Sequence, residues 1–173
     1  MYIKNGEYLI DENNNKIHKT CILYDNIIIG KNNIFKPYCV IGESGFIRGE
    51  DNIDGKVVIG DGNVFGAYTS IMVGKEGKTI IGNNNLIMNY CNIGHNSTIG
   101  NNNEIGANSI ICGHVYIGDN NKIKVGVNIR NRIKIGDNNL IGMSSNIVSD
   151  IISNKKIWGN PGKEIGENQT NKT

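Results

Sequence analysis

The residue types in this chain that could do chemistry gather around His95 and His114. Imidazole is the side chain whose unperturbed pKa lies near neutral pH, so a histidine at a surface edge is a natural general base toward a hydroxyl or an amine. Of three histidines in the chain, His95 stands two positions after Ile93, and His114 three positions after Ile111. Gly113, just before His114, leaves room beside a reacting group, and its N–H can face a developing oxyanion. No serine or cysteine is arranged as a nucleophile beside a base, which points to direct attack by an acceptor. Neither histidine has an acidic neighbour in sequence. Asn96 follows His95, and Glu43, Glu76 and Glu104 are the carboxylates that could orient it. An inert surface histidine is the competing reading, so the elements that position these residues decide the matter.

Those elements are an internal repeat. Isoleucine stands at 81, 87, 93, 99, 105, 111, 117, 123, 129, 135, 141 and 147 without a slip. A period of six fits neither an amphipathic helix nor a simple strand, and three hexads make an 18-residue turn of three short β-segments. Isoleucine fills the core, a small fifth residue (Asn85, Cys91, Ser97, Asn103) lets the wall bend, and Gly or Asn takes the corner. The register starts at Ile17, Leu23, Ile29, Phe35 and Ile41, and the solenoid is predicted over 17–150. Ile41 to Ile59 spans 18 residues and reads as one full, irregular turn with Ile47 and Ile53 in phase, bulging within 43–58 near Arg48 to Gly55. Ile71 to Ile81 is one hexad plus four, so a loop must leave the wall within 73–79. Residues 1–16 are predicted as an N-terminal cap, 151–165 as a C-terminal cap with Trp158 over the last turn, and 166–173 as a disordered tail.

An 18-residue turn converts sequence separation into neighbourhood. Gly113 falls directly above His95, with Asn131 above that; His114 falls above Asn96, with Arg132 above it. The loop at Gly74 to Lys78 projects from the same edge, one turn below His95. Two histidines, an arginine and an insertion thus collect on one edge, which a solenoid does not require.

Composition narrows the class. A chain of 173 residues is about one domain, and 23 glycines with two prolines and few aromatics suit a solenoid. A net charge of +2 with dispersed Lys and Arg gives no nucleic-acid surface. No apolar run is long enough for membrane insertion and the N-terminus does not read as a signal peptide, so a cytoplasmic location is expected. Cys21, Cys39 and Cys91 occupy inward positions and Cys112 a Gly position, a pattern of buried reduced thiols rather than of zinc ligands. His18 is several turns from the other histidines, so no metal site is expected; a zinc-dependent, carbonic-anhydrase-like hydratase would need three converging ligands.

The segments IGNNNLIMNYCNIGHNSTIG and IGANSIICGHVYIGD resemble the hexapeptide repeats of the left-handed β-helix acyltransferases. In motif they are most similar to the acyl-carrier-protein–UDP-N-acetylglucosamine O-acyltransferases of lipid A synthesis, over about Ile17 to Ile147. The resemblance implies an all-β, left-handed parallel β-helix, an exception to the usual right-handed crossover, and a homotrimer with its donor in the cleft between neighbours. It implies that His95 is the catalytic base, Gly113 N–H the oxyanion donor and His114 an acceptor contact. Asn96 stands where the family has Asp, and Asn92 where it has a further His; both are expected at the acceptor. The segment IISNKKIWGNPGKEI resembles instead the ending of small acetyl-CoA-dependent acetyltransferases, which implies that Lys155, Lys156 and Lys163 meet the cofactor phosphates. GHNSTIG is similar to the corresponding segment of bacterial sugar acetyltransferases. The implied activity is acetyl transfer from acetyl-CoA to a hydroxyl or amine of a nucleotide-linked amino sugar. Acyl-carrier-protein-dependent sugar O-acylation and a non-catalytic scaffold are the alternatives.

Overall fold

The structure, a computed structural model, describes residues 7–45 and 54–169. Short strands end on the inward isoleucines, as at Thr98–Ile99, Glu104–Ile105 and Ile110–Ile111. Each pairs in parallel with the strand one turn away. A first face stacks Ile87, Ile105 and Ile123, a second Ile93, Ile111 and Ile129, and a third Ile81, Ile99 and Ile117. The three sheets hold ten, seven and six strands, with no α-helix among the described residues. The molecule is a left-handed parallel β-helix of about 7 turns. The chain turns most corners through a left-handed residue three positions after the inward one, as at Asn84 (φ 55°), Asn102 (φ 56°), Asn120 (φ 58°) and Asn138 (φ 57°). Asparagine tolerates that conformation better than most side chains, which explains its abundance here.

Every inward isoleucine from Ile41 to Ile141 along these columns is buried, and stability accumulates turn by turn. Phe35 and Phe65 substitute for isoleucine on the first face and stack at 4.7 Å with an interplanar angle of 11°. Phe65→Ala should therefore cost about 3–5 kcal/mol, the range for truncating a fully buried aromatic. A guanidinium midpoint unchanged from wild type would contradict the packing.

At the corner from third to first face, the fifth hexad position is asparagine in successive turns: Asn33, Asn63, Asn85, Asn103, Asn121 and Asn139, all buried. Each amide serves the next. Asn103 donates its backbone N–H and its Nδ2 to Asn85 Oδ1 at 2.9 and 3.1 Å, and Nδ2 also donates to Gly118 O at 2.9 Å. These bonds satisfy buried polar groups that would otherwise oppose folding.

Both ends close on the first face. Tyr8–Ile10 pairs antiparallel with Lys16–His18, and Lys155–Trp158 pairs parallel with the strand at Leu140 and antiparallel with Lys163–Glu167. The Trp158 ring lies over Gly142, where a Cβ would fall 2.0 Å from the indole. The strand to Glu167, and the bond from Asn168 N–H to Asn154 O at 2.8 Å, correct the tail expected from 166: backbone pairing continues the cap to 168. Residues 1–6 of the expected cap and 170–173 of the tail lie outside the described residues.

The segment from Ile41 to Ile59 is not a full turn. Ile29 pairs directly with Ile59 and Ile41 with Ile71, so it replaces a single hexad and leaves the wall between second and third faces. Ile47, Arg48 and Ile53 lie outside the described residues. The loop between Val73 and Lys78 leaves from that same corner, and the two excursions bond to each other. Gly45 N–H donates to Val73 O at 2.8 Å, and Asp54 and Gly55 N–H donate to Lys75 O at 2.8 and 3.0 Å.

Candidate active site

The corner from second to third face carries His95 and Asn96, then Gly113 and His114 one turn on. Their stacking is direct: His114 N–H donates to His95 O at 2.9 Å, and Arg132 N–H donates to Gly113 O at 3.1 Å.

Asn96 occupies the left-handed corner slot (φ 58°) and is held on three sides. Its N–H donates to Thr79 Oγ1 at 2.8 Å, and that hydroxyl donates to Met72 O at 2.7 Å. Its Nδ2 donates to Glu76 O at 2.7 Å, a carbonyl of the inserted loop. A carbonyl accepts only, so the amide nitrogen must face Glu76 and the amide oxygen must face His95 Nδ1, 2.8 Å away. Nδ1 therefore carries the ring proton, and Nε2 is left with a bare lone pair. That is the tautomer a general base needs.

Gly113 lies against the face of the ring at its Nε2 end, where a Cβ would stand 2.8 Å from Nε2, 3.0 Å from Cε1 and 3.1 Å from Cδ2. On the opposite side a Cβ on Gly45 would stand 2.9 Å from His95 Cδ2. The imidazole is a half-buried plate between two glycines. Gly113 N–H has no hydrogen-bond partner among the described residues. A base nitrogen and an unclaimed amide thus belong to one small surface, the arrangement that proton abstraction with oxyanion stabilisation requires.

His114 is exposed, with its ring edge-on to that of His95 at 5.0 Å and 83°. Its pKa is lowered by burial first, then by the charges of His95 and Arg132. The proton-free form is favoured in the fold, so its contribution to stability is lost as pH falls through the ordinary histidine range. An NMR titration should place His114 below that range, with R132Q moving it upward; an unmoved midpoint would remove Arg132 from its surroundings.

The other expected site residues are distributed differently. Asn96, expected at the acceptor, has its side-chain amide engaged by His95 Nδ1 and Glu76 O. Asn92 lies half-buried on the outer side of the second face, with Nδ2 donating to Ser70 Oγ at 2.7 Å, and no contact joins it to His95. Lys155 bonds Glu164 at 3.0 Å and also Glu167, whose carboxylate first and Glu164's second raise its pKa. Its charge is answered within the cap by these two carboxylates. Lys156 and Lys163 belong to that same hairpin on the first face, not to the His95 corner. Gly45 and the Glu76 carbonyl reach the histidine only through the path of the excursions, whereas Thr79 lies 18 residues before Ser97 in regular register, a spacing that could have marked it.

His18 sits apart at the N-terminal cap, edge-on to Tyr8 at 5.1 Å. Among the described residues no group of three His, Cys, Asp or Glu side chains is placed to hold a metal. The four cysteines are free, Cys39 and Cys91 buried and Cys21 and Cys112 half-buried. Among the described residues no helix is long and apolar enough to cross a membrane.

Comparisons with known proteins agree with this architecture. The family model described as bacterial transferase hexapeptide (six repeats) matches residues 78–113 and 97–131, which contain His95, Gly113 and His114. A UDP-N-acetylglucosamine acyltransferase from Bacteroides fragilis 9343 superposes with a TM-score of 0.82 at 28% identity, over 89% of this chain and 61% of that one. The UDP-N-acetylglucosamine acyltransferase of Francisella novicida gives 0.84 at 26%, over 91% and 59%. A perosamine N-acetyltransferase from Caulobacter crescentus, solved with CoA and GDP-perosamine, shares the fold at 0.54 and 18%, over 88% and 57%. The chain thus spans about three fifths of the length of these structures. With its unbroken hexads and its parallel three-sided stack, the chain is similar to the bacterial hexapeptide transferases over residues 78–113 and 97–131.

Proposed function

We propose that this chain is a sugar acyltransferase in which His95 Nε2 removes the proton from an acceptor hydroxyl or amine as that group attacks a thioester. The observation that carries the reading is the hydrogen-bond chain from Glu76 O through Asn96 to His95 Nδ1, which leaves Nε2 unprotonated beside Gly113. Attack forms the new acyl–oxygen or acyl–nitrogen bond and a tetrahedral oxyanion, which Gly113 N–H stabilises. Collapse breaks the carbon–sulfur bond, and the proton held on His95 passes to the departing thiolate. His114, edge-on to the base, contacts the acceptor.

Acetyl-CoA is the donor in this reading and a nucleotide-linked amino sugar the acceptor. The sugar chemistry is supported by the likeness to UDP-N-acetylglucosamine acyltransferases, and CoA by the fold shared with a CoA-bound acetyltransferase. A second reading, with acyl-carrier-protein as donor, is favoured by the higher TM-scores and identities of the former group. Thiol release from acetyl-CoA and from acyl-carrier-protein thioesters, across a panel of nucleotide sugars, separates the two. No sugar-dependent release from any donor would remove the enzyme class.

The assembly in this reading is a homotrimer. A slender prism with a thin core gains by burying a flank against copies of itself, and cyclic symmetry closes the assembly. Sedimentation should give three chains at micromolar concentration, and a monomer would contradict it.

A further inference from the structure

The turn from Lys122 to Lys134 carries five cations, Lys122, Lys124, Arg130, Arg132 and Lys134, all exposed and with no carboxylate among them. Three of the five stand at the His95 corner, one turn above Gly113 and His114. None of these three is ion-paired within 4.0 Å among the described residues, where the salt bridges involve only Glu7 and Lys155 as the hubs. Asp150, one turn higher, is the nearby carboxylate on this edge, and its Oδ1 accepts the Lys134 backbone N–H at 2.8 Å. The flanking loop below His95 adds Lys75, Glu76 and Lys78.

Arg132 fills the left-handed corner slot (φ 65°) that Asn96 (φ 58°) and His114 (φ 59°) fill in the two turns below it, so the three side chains share one column. The Arg132 charge reaches His114, whose proton affinity it lowers. The Arg132 N–H donates to Gly113 O at 3.1 Å, which sets the arginine one turn above the Gly113–His114 pair.

We propose that Arg130 and Arg132 form a phosphate-binding site that anchors a substrate whose reacting group lies at His95. The assignment rests on the acyltransferase reading for which substrate is held, but not for the binding of phosphate itself. Guanidinium groups give planar, bidentate donor pairs matched to phosphate oxygens, and two of them on one edge suit a diphosphate. Strand spacing of about 4.8 Å puts the Arg132 backbone roughly 10 Å along the edge from Asn96, a span that one sugar ring can bridge.

The test is calorimetric titration of inorganic pyrophosphate, a nucleoside diphosphate and CoA into wild type, R130Q/R132Q and K122Q/K124Q. The second double variant removes the same charge from the same turn, away from the corner. Pyrophosphate should bind wild type and K122Q/K124Q alike and R130Q/R132Q at least tenfold more weakly. A matching loss for the nucleoside diphosphate assigns the anchor to the acceptor, and a loss for CoA assigns it to the donor; either supports the site. In unmodified protein, pyrophosphate should also shift the His114 ring resonances, a readout that needs no variant. Absence of pyrophosphate binding to wild type, equal affinity in R130Q/R132Q, or equal loss in both double variants would overturn the site. Failure of acyl transfer with this binding pattern intact would sink the acyltransferase reading alone.

Discussion

Replacing His95 by alanine should lower turnover by roughly 10² to 10⁴, the usual contribution of a positioned general base. The loss should fall on kcat and kcat/KM alike, because the base acts as the acceptor attacks and contributes little to holding the ground state. The stack should survive the change. His95 contributes its carbonyl to the His114 N–H at 2.9 Å, a backbone bond that alanine keeps, and its ring is half-buried at a corner rather than in the isoleucine columns. Circular dichroism and sedimentation should therefore match wild type. Sugar-dependent turnover undiminished in H95A would remove the catalytic assignment.

The second large effect is expected where no side chain exists. In Gly113→Ala the new Cβ would meet His95 Nε2 at 2.8 Å, Cε1 at 3.0 Å and Cδ2 at 3.1 Å. The ring has little room to retreat, since Gly45 closes its other side at 2.9 Å and Asn96 Oδ1 holds Nδ1 at 2.8 Å. Gly113 is not among the left-handed residues, so alanine fits the backbone and the oxyanion donor N–H remains. What changes is the position of the base, and a displacement of about 1 Å costs on the order of 10²-fold. Because the effect runs through His95, G113A/H95A should be no slower than H95A alone. Losses that multiply would mean that Gly113 acts independently of the histidine.

The columns of isoleucine and the stacking of His95 under Gly113 were legible from spacing, since 18-residue turns fix neighbours wherever no insertion intervenes. The excursion after Ile41 was misread as a turn for a physical reason. Its added length is a multiple of the repeat, so Ile47 and Ile53 keep phase, and periodicity cannot tell a turn inside the wall from a loop outside it. The orientation of His95 was illegible too. It depends on a backbone carbonyl at Glu76, and a carbonyl has no signature in the sequence. The pairing of Lys155 with Glu164 and Glu167 was equally illegible, because only the cap's antiparallel return brings those carboxylates to its ammonium.

The asparagine ladder has a consequence for how the chain finds its phase. Isoleucines spaced by six on all three faces would stack equally well if a turn slipped by one hexad, rotating by a third of a revolution on its neighbour. Apolar packing alone leaves that frame undetermined. The fifth-position residues break the degeneracy: asparagine at one corner, but Cys91, Ser109, Val127 and Ser145 at the second and Ser97, Val115 and Ile133 at the third. A slipped turn would set buried amides against thiol, hydroxyl or methyl groups and leave donors unmatched, at about 1–3 kcal/mol for each. The ladder therefore works as a key that admits one reading frame, and it is that frame which sets Gly113, rather than Ala107 or Asp119, over the His95 ring.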